Sequence, residues 1–470
     1  MALQHVTVPP LQPERFKLIF GEEGYRDFGL AIERARDFLK DRVIWNVNST
    51  ARGGGVAEML ASLLSYARGA DIDTRWVVIS GRPDFFRVTK RIHNNLHGAS
   101  GDGGPLGAEE QRIYQENLDS NAIELVPRIS EGDIVILHDP QTAGLVSKVS
   151  ATGAQVVWRC HVGLDTPNET ARAAWDFLRP SIEPADAYVF SRKAFAWERL
   201  DDPKIHVIPP SIDAFSPKNQ YLDETTVGAI LTKTGLVQGG DGDPVFVRGD
   251  GSQDRVDRAT EMYGAGPVAP DDRLVVQVSR WDALKDPLGV MEGYAEHVAP
   301  ATDAHLVLAG PSVEAVSDDP EGAQVLADAR SMWSTLPEDV RARTHLVCLP
   351  MDDLEENAAI VNALQRRANV IVQKSLAEGF GLTVAEGMWK ARPVVASKIG
   401  GIQDQIEHGT SGLLIDDPHD LRRYGELVLD LLNDPAGAER IGDQAQARVK
   451  GNFLGPRHLM QYLDLFEQLS

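Results

Sequence analysis

Three short stretches of the 470-residue chain concentrate residues able to bind an anion or a row of hydroxyls. The first is Asn48-Ser-Thr-Ala-Arg-Gly-Gly-Gly-Val at 48–56, between an apolar run and an amphipathic one. Glycines let a backbone approach a ligand, and the start of a following helix offers free N–H groups and a partial positive charge. The same residues also read as a tight strand-to-helix turn with no ligand. Neither G-x-G-x-x-G nor G-x-x-x-x-G-K-[ST] is matched, which weakens dehydrogenase and P-loop NTPase readings together. The second stretch, Ser279-Arg-Trp-Asp-Ala-Leu-Lys-Asp286, follows the run Leu274–Val278. Arg280 brings a planar fork and Lys285 a compact charge, a pairing suited to a diphosphate. The plainer alternative is two solvated cations paired with Asp282 or Asp286. The third, Glu378-Gly-Phe-Gly-Leu-Thr-Val-Ala-Glu386, is the most specific. Its N–H groups at Gly379, Phe380, Gly381 and Leu382 could meet phosphate or sugar hydroxyls at a helix start. Its two carboxylates, eight residues apart, could bond hydroxyls of two different sugars. The alternative is one glutamate favouring the helix dipole and another exposed on the helix.

What must position these residues is a repeated βα grammar. In the first half the strand candidates are Val43–Val47, Trp76–Ile79, Ile134–Leu137, Val156–Arg159, Tyr188–Phe190 and His206–Ile208. In the second they are Leu274–Val278, Leu306–Leu308, Leu346–Cys348, Val370–Val372, Val394–Ala396 and Leu413–Ile415. Continuous apolar runs of this kind suit buried strands of parallel sheets. Helical spacing fits between them, as in Val56, Met59, Leu60, Leu63, Leu64 and Ala67. The expected fold is α/β, with two doubly wound Rossmann-like domains facing a central cleft. The expected divisions are an N-terminal Rossmann-like domain at 1–215, an inserted excursion and linker at 216–270, a C-terminal Rossmann-like domain at 271–450, and a closing helix at 451–470. The excursion is rich in Gly, Asp and Thr with little periodicity. The closing helix carries Leu459, Tyr462, Leu463, Phe466 and Leu469 on one face.

Composition narrows the classes. With 47 basic against 69 acidic residues, a net charge of −22, most of the surface would repel a phosphate backbone, so a nucleic-acid partner is not expected. Cys160 and Cys348 make neither a disulfide framework nor a CxxC metal site. The first residues lack the pattern of a signal peptide, and no apolar run approaches the roughly 18 residues of a membrane span. A cytoplasmic protein without membrane insertion is expected, with a homodimer allowed.

Taken together, Gly-Gly-Gly-Val, Ser-Arg-x4-Lys and Glu-Gly-Phe-Gly-Leu-Thr-x2-Glu resemble the family-four retaining glycosyltransferases of two-Rossmann-domain (GT-B) architecture. The third piece resembles that family's E-x7-E signature. The stretches DIVILHDPQTAGL, WRCHVGLD, AEGFGLTVAEGMWKARPVVASKIGGIQDQI and HGTSGLLI look like the trehalose synthases of that family, which transfer glucose from a nucleotide sugar to free glucose. Retaining trehalose phosphorylases are similar enough to stay in play.

The resemblance implies roles. Arg280 and Lys285 would hold the donor diphosphate and offset charge on the leaving group. Glu386 would bond the nucleotide ribose. Glu378, with the N–H groups of 379–382, would contact the transferred glucose. The glycines at 53–55, Gly54 and Gly55 most closely, would face the donor phosphates. His161 matches a position beside the transferred sugar, and His138 and Asp139 are acceptor-pocket candidates. No strong nucleophile presents itself, so front-face transfer with the leaving phosphate as base is the expected mechanism. No cofactor is expected: the nucleoside-diphosphate glucose is a co-substrate, and two cations on the diphosphate reduce the need for Mg2+. The Asp-x-Asp pairs Asp71/Asp73 and Asp241/Asp243 read better as solvated loops than as metal ligands. A third reading, a silent sugar- or nucleotide-binding module, is weakened because Arg280, Lys285, Glu378 and Glu386 are all present.

Overall fold

The apolar runs become the centres of two parallel sheets in a computed structural model that describes residues 3–51, 54–313 and 320–470. The chain divides into two compact units, Met1–Ser211 with Phe453–Ser470, and Ile212–Asn452. Among the described residues the first unit holds β1 (Gln4–Val6), β2 (Ile44–Asn48), β3 (Thr74–Val78), β4 (Ile134–His138), β5 (Gln155–Cys160), β6 (Ala187–Phe190) and β7 (Ile205–Val207). Their order is β1-β3-β2-β4-β5-β6-β7. All pairs are parallel except β1 with β3. Every residue of β2, β4 and β6 is buried, as expected of parallel strands covered on both faces.

The second unit holds β8 (Val245–Val247), β9 (Gln253–Arg255), β10 (Glu261–Tyr263), β11 (Leu274–Val278), β12 (His305–Pro311), β13 (Thr344–Leu349), β14 (Val370–Gln373), β15 (Val394–Ser397) and β16 (Leu413–Ile415). The main sheet runs β10-β13-β12-β11-β14-β15-β16, with β10 antiparallel at one edge and β8–β9 forming a separate hairpin. Connections leave β11 to one side for β12 and β13, then return to its other side for β14. That reversal is a topological switch point, where strands on either side diverge at their carboxyl ends and leave a crevice. The first unit has the same feature between β2 and β4.

The segment 216–270, expected as an excursion and linker, lies within the second unit and carries more structure than its composition suggested. Asp223 caps a helix at Glu224–Lys233 by accepting from Thr226 N at 2.7 Å. Arg248 then ties the hairpin to the helix Leu354–Arg367 through Asp353 and Glu355. The C-terminal helix, Gly455–Gln468, belongs to the first unit and packs on the helices Lys17–Phe38 and Gly55–Gly69. Tyr462, Leu463 and Phe466 are buried there as the spacing predicts. Among the described residues no helix is long and apolar enough to cross a membrane.

Candidate active site

In the second unit the candidate side chains come from the two loops that leave the switch-point strands. After β11, Asp282 accepts from Leu284 N at 2.8 Å and opens a short turn that ends at Lys285. Gln277 Nε2 donates to the Lys285 carbonyl at 3.0 Å, fixing its backbone. Asp286 then adopts a left-handed conformation (φ 51°) and accepts from Gly289 N at 3.1 Å to start the next helix. Its carboxylate also receives the ammonium of Lys374, which is fully buried at the end of β14. These contacts point Lys285 across the switch point, where Nζ meets Glu378 Oε2 at 2.6 Å, both side chains being less than one-fifth exposed. Arg280 takes a different course: its side chain is 62% exposed and lies 3.0 Å from Asp282. Of the two expected cations, the structure brings Lys285 to Glu378 and leaves Arg280 on the Asp282 side.

The loop after β14 is held by its backbone. Gly381 is left-handed (φ 83°) and opens the helix Leu382–Trp389. Gln405 Nε2 donates to the carbonyls of Phe380 (2.5 Å) and Gly381 (3.2 Å), and Gly401 N donates to the Gly379 carbonyl at 2.9 Å. Gly400, at φ 46°, has no room for a side chain: a Cβ there would lie 1.9 Å from the Glu378 carbonyl oxygen. Glu386 is not an exposed helical glutamate. It is 3% exposed, with Lys218 Nζ 3.6 Å from Oε1 and no hydrogen-bond partner for Oε2 among the described residues. A carboxylate accepts hydrogen bonds only, so that orphaned oxygen calls for a donor such as a hydroxyl. One turn on, Lys390 Nζ donates to the Glu386 carbonyl (3.1 Å) and to Asn219 Oδ1 (3.0 Å).

In the first unit His138, Asp139 and His161 gather at the carboxyl ends of β4 and β5. His138 Nε2 lies 3.1 Å from Asn46 Oδ1, a contact that spans the switch point from β4 to β2. Asp139 adopts φ 64°, rare for a side chain bearing a Cβ, and such strain clusters at functional sites. Its carboxylate accepts from His161 N at 2.8 Å and faces His161 Nδ1 at 3.1 Å. Burial alone would raise this carboxyl, but the facing His161 outweighs it and holds Asp139 down at about 2. Burial pushes His138 well below its ordinary value and lowers His161 as well. The two imidazoles stack, centroids 5.5 Å apart and planes within 10°.

Gly54, exposed and left-handed (φ 88°), opens the helix Gly55–Gly69; Gly53 lies outside the described residues. Three of the four Asp-x-Asp residues face arginines: Asp71 lies 3.2 Å from Arg36, Asp73 2.9 Å from Arg75 and Asp243 3.0 Å from Arg255. Cys160 and Cys348 are both buried free thiols. Sequence reasoning missed Lys218, Lys374 and Gln405, whose partners are far away in the chain, and Arg159 and Asn46. Arg159 had one local signal, since it sits two residues before His161 and so shares its face of the strand.

Residues 46–197 match the family model of the trehalose synthase N-terminal domain, and residues 264–448 match glycosyl transferases group 1. The trehalose synthase of Pyrococcus horikoshii is 34% identical over 457 residues, covering 97% of this chain and 96% of that protein. That of Rubrobacter xylanophilus is 35% identical over 434 residues, covering 92% and 91%. A trehalose phosphorylase of Grifola frondosa is 25% identical over 427 residues, covering 86% of this chain but 54% of that protein. Among solved structures, an α,α-trehalose-phosphate synthase (UDP-forming) from Burkholderia xenovorans superposes with a TM-score of 0.65 at 14% identity, covering 91% of this chain and 99% of that one. Sucrose-phosphate synthase from Thermosynechococcus elongatus gives 0.62 at 17%, covering 91% and 99%. These structures share the GT-B fold. The chain belongs to the trehalose synthase family within the group 1 glycosyl transferases, and is a hexosyltransferase.

Proposed function

We propose that the protein transfers glucose with retention from a nucleoside-diphosphate glucose to free glucose, giving α,α-trehalose without a metal ion. The observation that carries the nucleotide is Glu386: a buried carboxylate with an unpartnered oxygen on the helix that follows the Glu378–Gly381 loop. A ribose hydroxyl supplies the donor it lacks, whereas inorganic phosphate at neutral pH offers charge that a carboxylate repels. Lys285 would hold the donor diphosphate, joined by Arg280, and Glu378 would accept from hydroxyls of the transferred glucose. Since Lys285 pairs with Glu378 at 2.6 Å, an arriving phosphate shares that ammonium with the carboxylate. His138, Asp139 and His161 of the first unit would serve the acceptor and the transferred sugar.

In the transfer, the bond from the anomeric carbon to the phosphate oxygen breaks and its electrons stay on the diphosphate. A hydroxyl oxygen of the acceptor bonds to the same face of that carbon, and its proton passes to a phosphate oxygen. Lys285 and Arg280 offset the charge that grows on the leaving group, a term worth about 3–4 kcal/mol for one well-placed donor. The relatives named trehalose synthase align over nearly their whole length, which supports this reading over phosphorolysis.

The test is product analysis with glucose as acceptor, offering UDP-, ADP- and GDP-glucose separately, with and without EDTA. A parallel reaction holds trehalose and inorganic phosphate. Trehalose from a nucleotide donor, unchanged by EDTA, is the expected result and names the base. Glucose 1-phosphate formed in the parallel reaction alone would replace this reading with phosphorolysis, and loss of synthesis in EDTA would overturn the metal-free part.

A further inference from the structure

Arg159 is the largest charged side chain wholly inside the first unit, at 0% exposure. Two residues before His161 on β5, it leaves the same face of the sheet. Its Nε donates to His161 Nε2 at 3.1 Å, and Nη2 reaches Ser191 Oγ at 3.4 Å. On the other side of the ring, His161 Nδ1 faces Asp139 Oδ2 at 3.1 Å. A guanidinium has only donors, so the ring nitrogen that meets it must carry a lone pair. A carboxylate has only acceptors, so the nitrogen that meets it must carry the proton. Both ring nitrogens are thereby occupied, and the tautomer follows from chemistry rather than from the placement of hydrogens.

The surroundings oppose a second proton on this ring. His138 stacks on it from the end of β4, and Cys160 adjoins it on β5. From the helix Gly455–Gln468, His458 lies close enough to feel both His161 and Arg159, while Arg457 and Tyr462 act on Arg159. The charges that act on the imidazole are thus one carboxylate, Asp139, and one guanidinium, Arg159, with the stacked His138 and the nearby His458 neutral.

We propose that Arg159 is the positioning residue of the first unit's site: it closes His161 Nε2 and holds the imidazole neutral as the Nδ1–H tautomer, so that His161 shapes the sugar pocket and moves no proton in the transfer. This rests on the reading above, which places His161 beside the transferred glucose and assigns the acceptor's proton to the leaving phosphate.

The experiment is a two-bond 1H–15N spectrum of the full chain with labelled histidines, the His161 signals being assigned by their loss in His161→Gln. The expected pattern is a protonated Nδ1 and a pyridine-like Nε2, unchanged across the range in which a free imidazole titrates, near pH 6.5. A protonated Nε2, or titration of the wild-type ring in that range, overturns the proposal. In Arg159→Met the ring faces Asp139 alone, so its pKa is expected to rise by more than about one unit. The kcat/KM profile then gains a fall on the acid side that the wild type lacks. Arg159→Lys keeps the charge and is expected to suppress that titration. An Arg159→Met protein that melts earlier while its His161 signals stay unchanged shows a structural role only and overturns the proposal; if that variant does not fold, the wild-type spectrum decides. The spectrum needs no substrate, so a protein that makes no trehalose fails the functional reading while the tautomer is still read.

Discussion

Lys285 and Glu378 are each other's partner at 2.6 Å, each side chain less than one-fifth exposed, so removing either leaves the other a largely buried charge without its partner. Lys285→Ala is expected to cut kcat by about 10²–10³-fold, the loss seen when one preorganised donor to a developing anion is removed. Its thermal midpoint should fall as well, by several °C, because Glu378 loses its ammonium partner, so turnover is compared well below that midpoint. Wild-type turnover in this variant would remove Lys285 from the donor site. Glu386 predicts a different split, because under the proposed function its orphaned oxygen would meet the ribose, far from the reacting carbon. Glu386→Gln swaps an acceptor for an amide and is expected to raise the donor KM about tenfold, the worth of one hydrogen bond to a charged group, with kcat nearly unchanged. Steady-state kinetics with the donor varied separates the two, and equal effects of both substitutions on KM alone would refute the division of roles. At this scale the sequence shows which residue types stand at the strand ends. It does not show that Asp286 turns to Lys374, or that Arg280 takes Asp282 and leaves Lys285 to Glu378. The Lys285 and Asp286 contacts depend on side-chain reach between loops some 90 residues apart in the chain.

The parallel strands of the two main sheets were legible as apolar runs, and the antiparallel ones were not. β11 and β16 have the bounds their sequences predict, and the other buried strands differ by a residue or a few at their ends. β1, β8, β9 and β10 escaped because each has three residues and pairs antiparallel, too short for an apolar alternation to build up, and the Val-Phe-Val of β8 stands alone within the stretch 216–270. The glycines after β15 show what patterning does not convey. Gly400 matters through a contact with the loop after β14, 22 residues earlier in the chain, not through its own element. Gly400→Ala must push the Glu378 carbonyl aside, and a displacement of about 1 Å in a positioned group costs about 10²-fold in rate. That loss is expected in kcat/KM with the secondary structure unchanged by circular dichroism. Gly451→Ala is the control: it lies in the helix Pro435–Asn452, where an added Cβ would meet nothing within 4 Å, so it should be neutral or stabilising by about 0.5–1 kcal/mol. Full activity in Gly400→Ala would mean that the Glu378 loop tolerates a shift the geometry says it cannot.

Across the whole chain, both units bury neutral imidazoles, and their linkage to pH has one sign. Burial pushes His138 and His458 well below the ordinary value in the first unit, and brings His345, stacked on His305, to about 4 in the second. In the unfolded chain these rings take up protons near pH 6.5, so below that point the unfolded state binds more protons and stability falls with falling pH. The contribution is fully present above about pH 6.5 and for His345 is lost progressively down to its folded value of about 4. Asp139, held at about 2, has its unfolded value near 3.9 and adds its loss only below that. Against this stands the net charge of −22, whose self-repulsion eases as acid titrates the carboxylates and would stabilise the fold in the same interval. Salt separates the two, because repulsion among exposed charges is screened at about 1 M NaCl, where the screening length is about 3 Å, whereas a buried ring still takes up its proton on unfolding. The urea midpoint is therefore expected to fall between about pH 7.5 and about pH 5 and to fall more steeply in high salt, with each buried ring adding up to about 1.4 kcal/mol per pH unit. His345→Gln should reduce that slope. A midpoint that is flat or rises toward acid at high salt would show that these rings are charged in the folded protein.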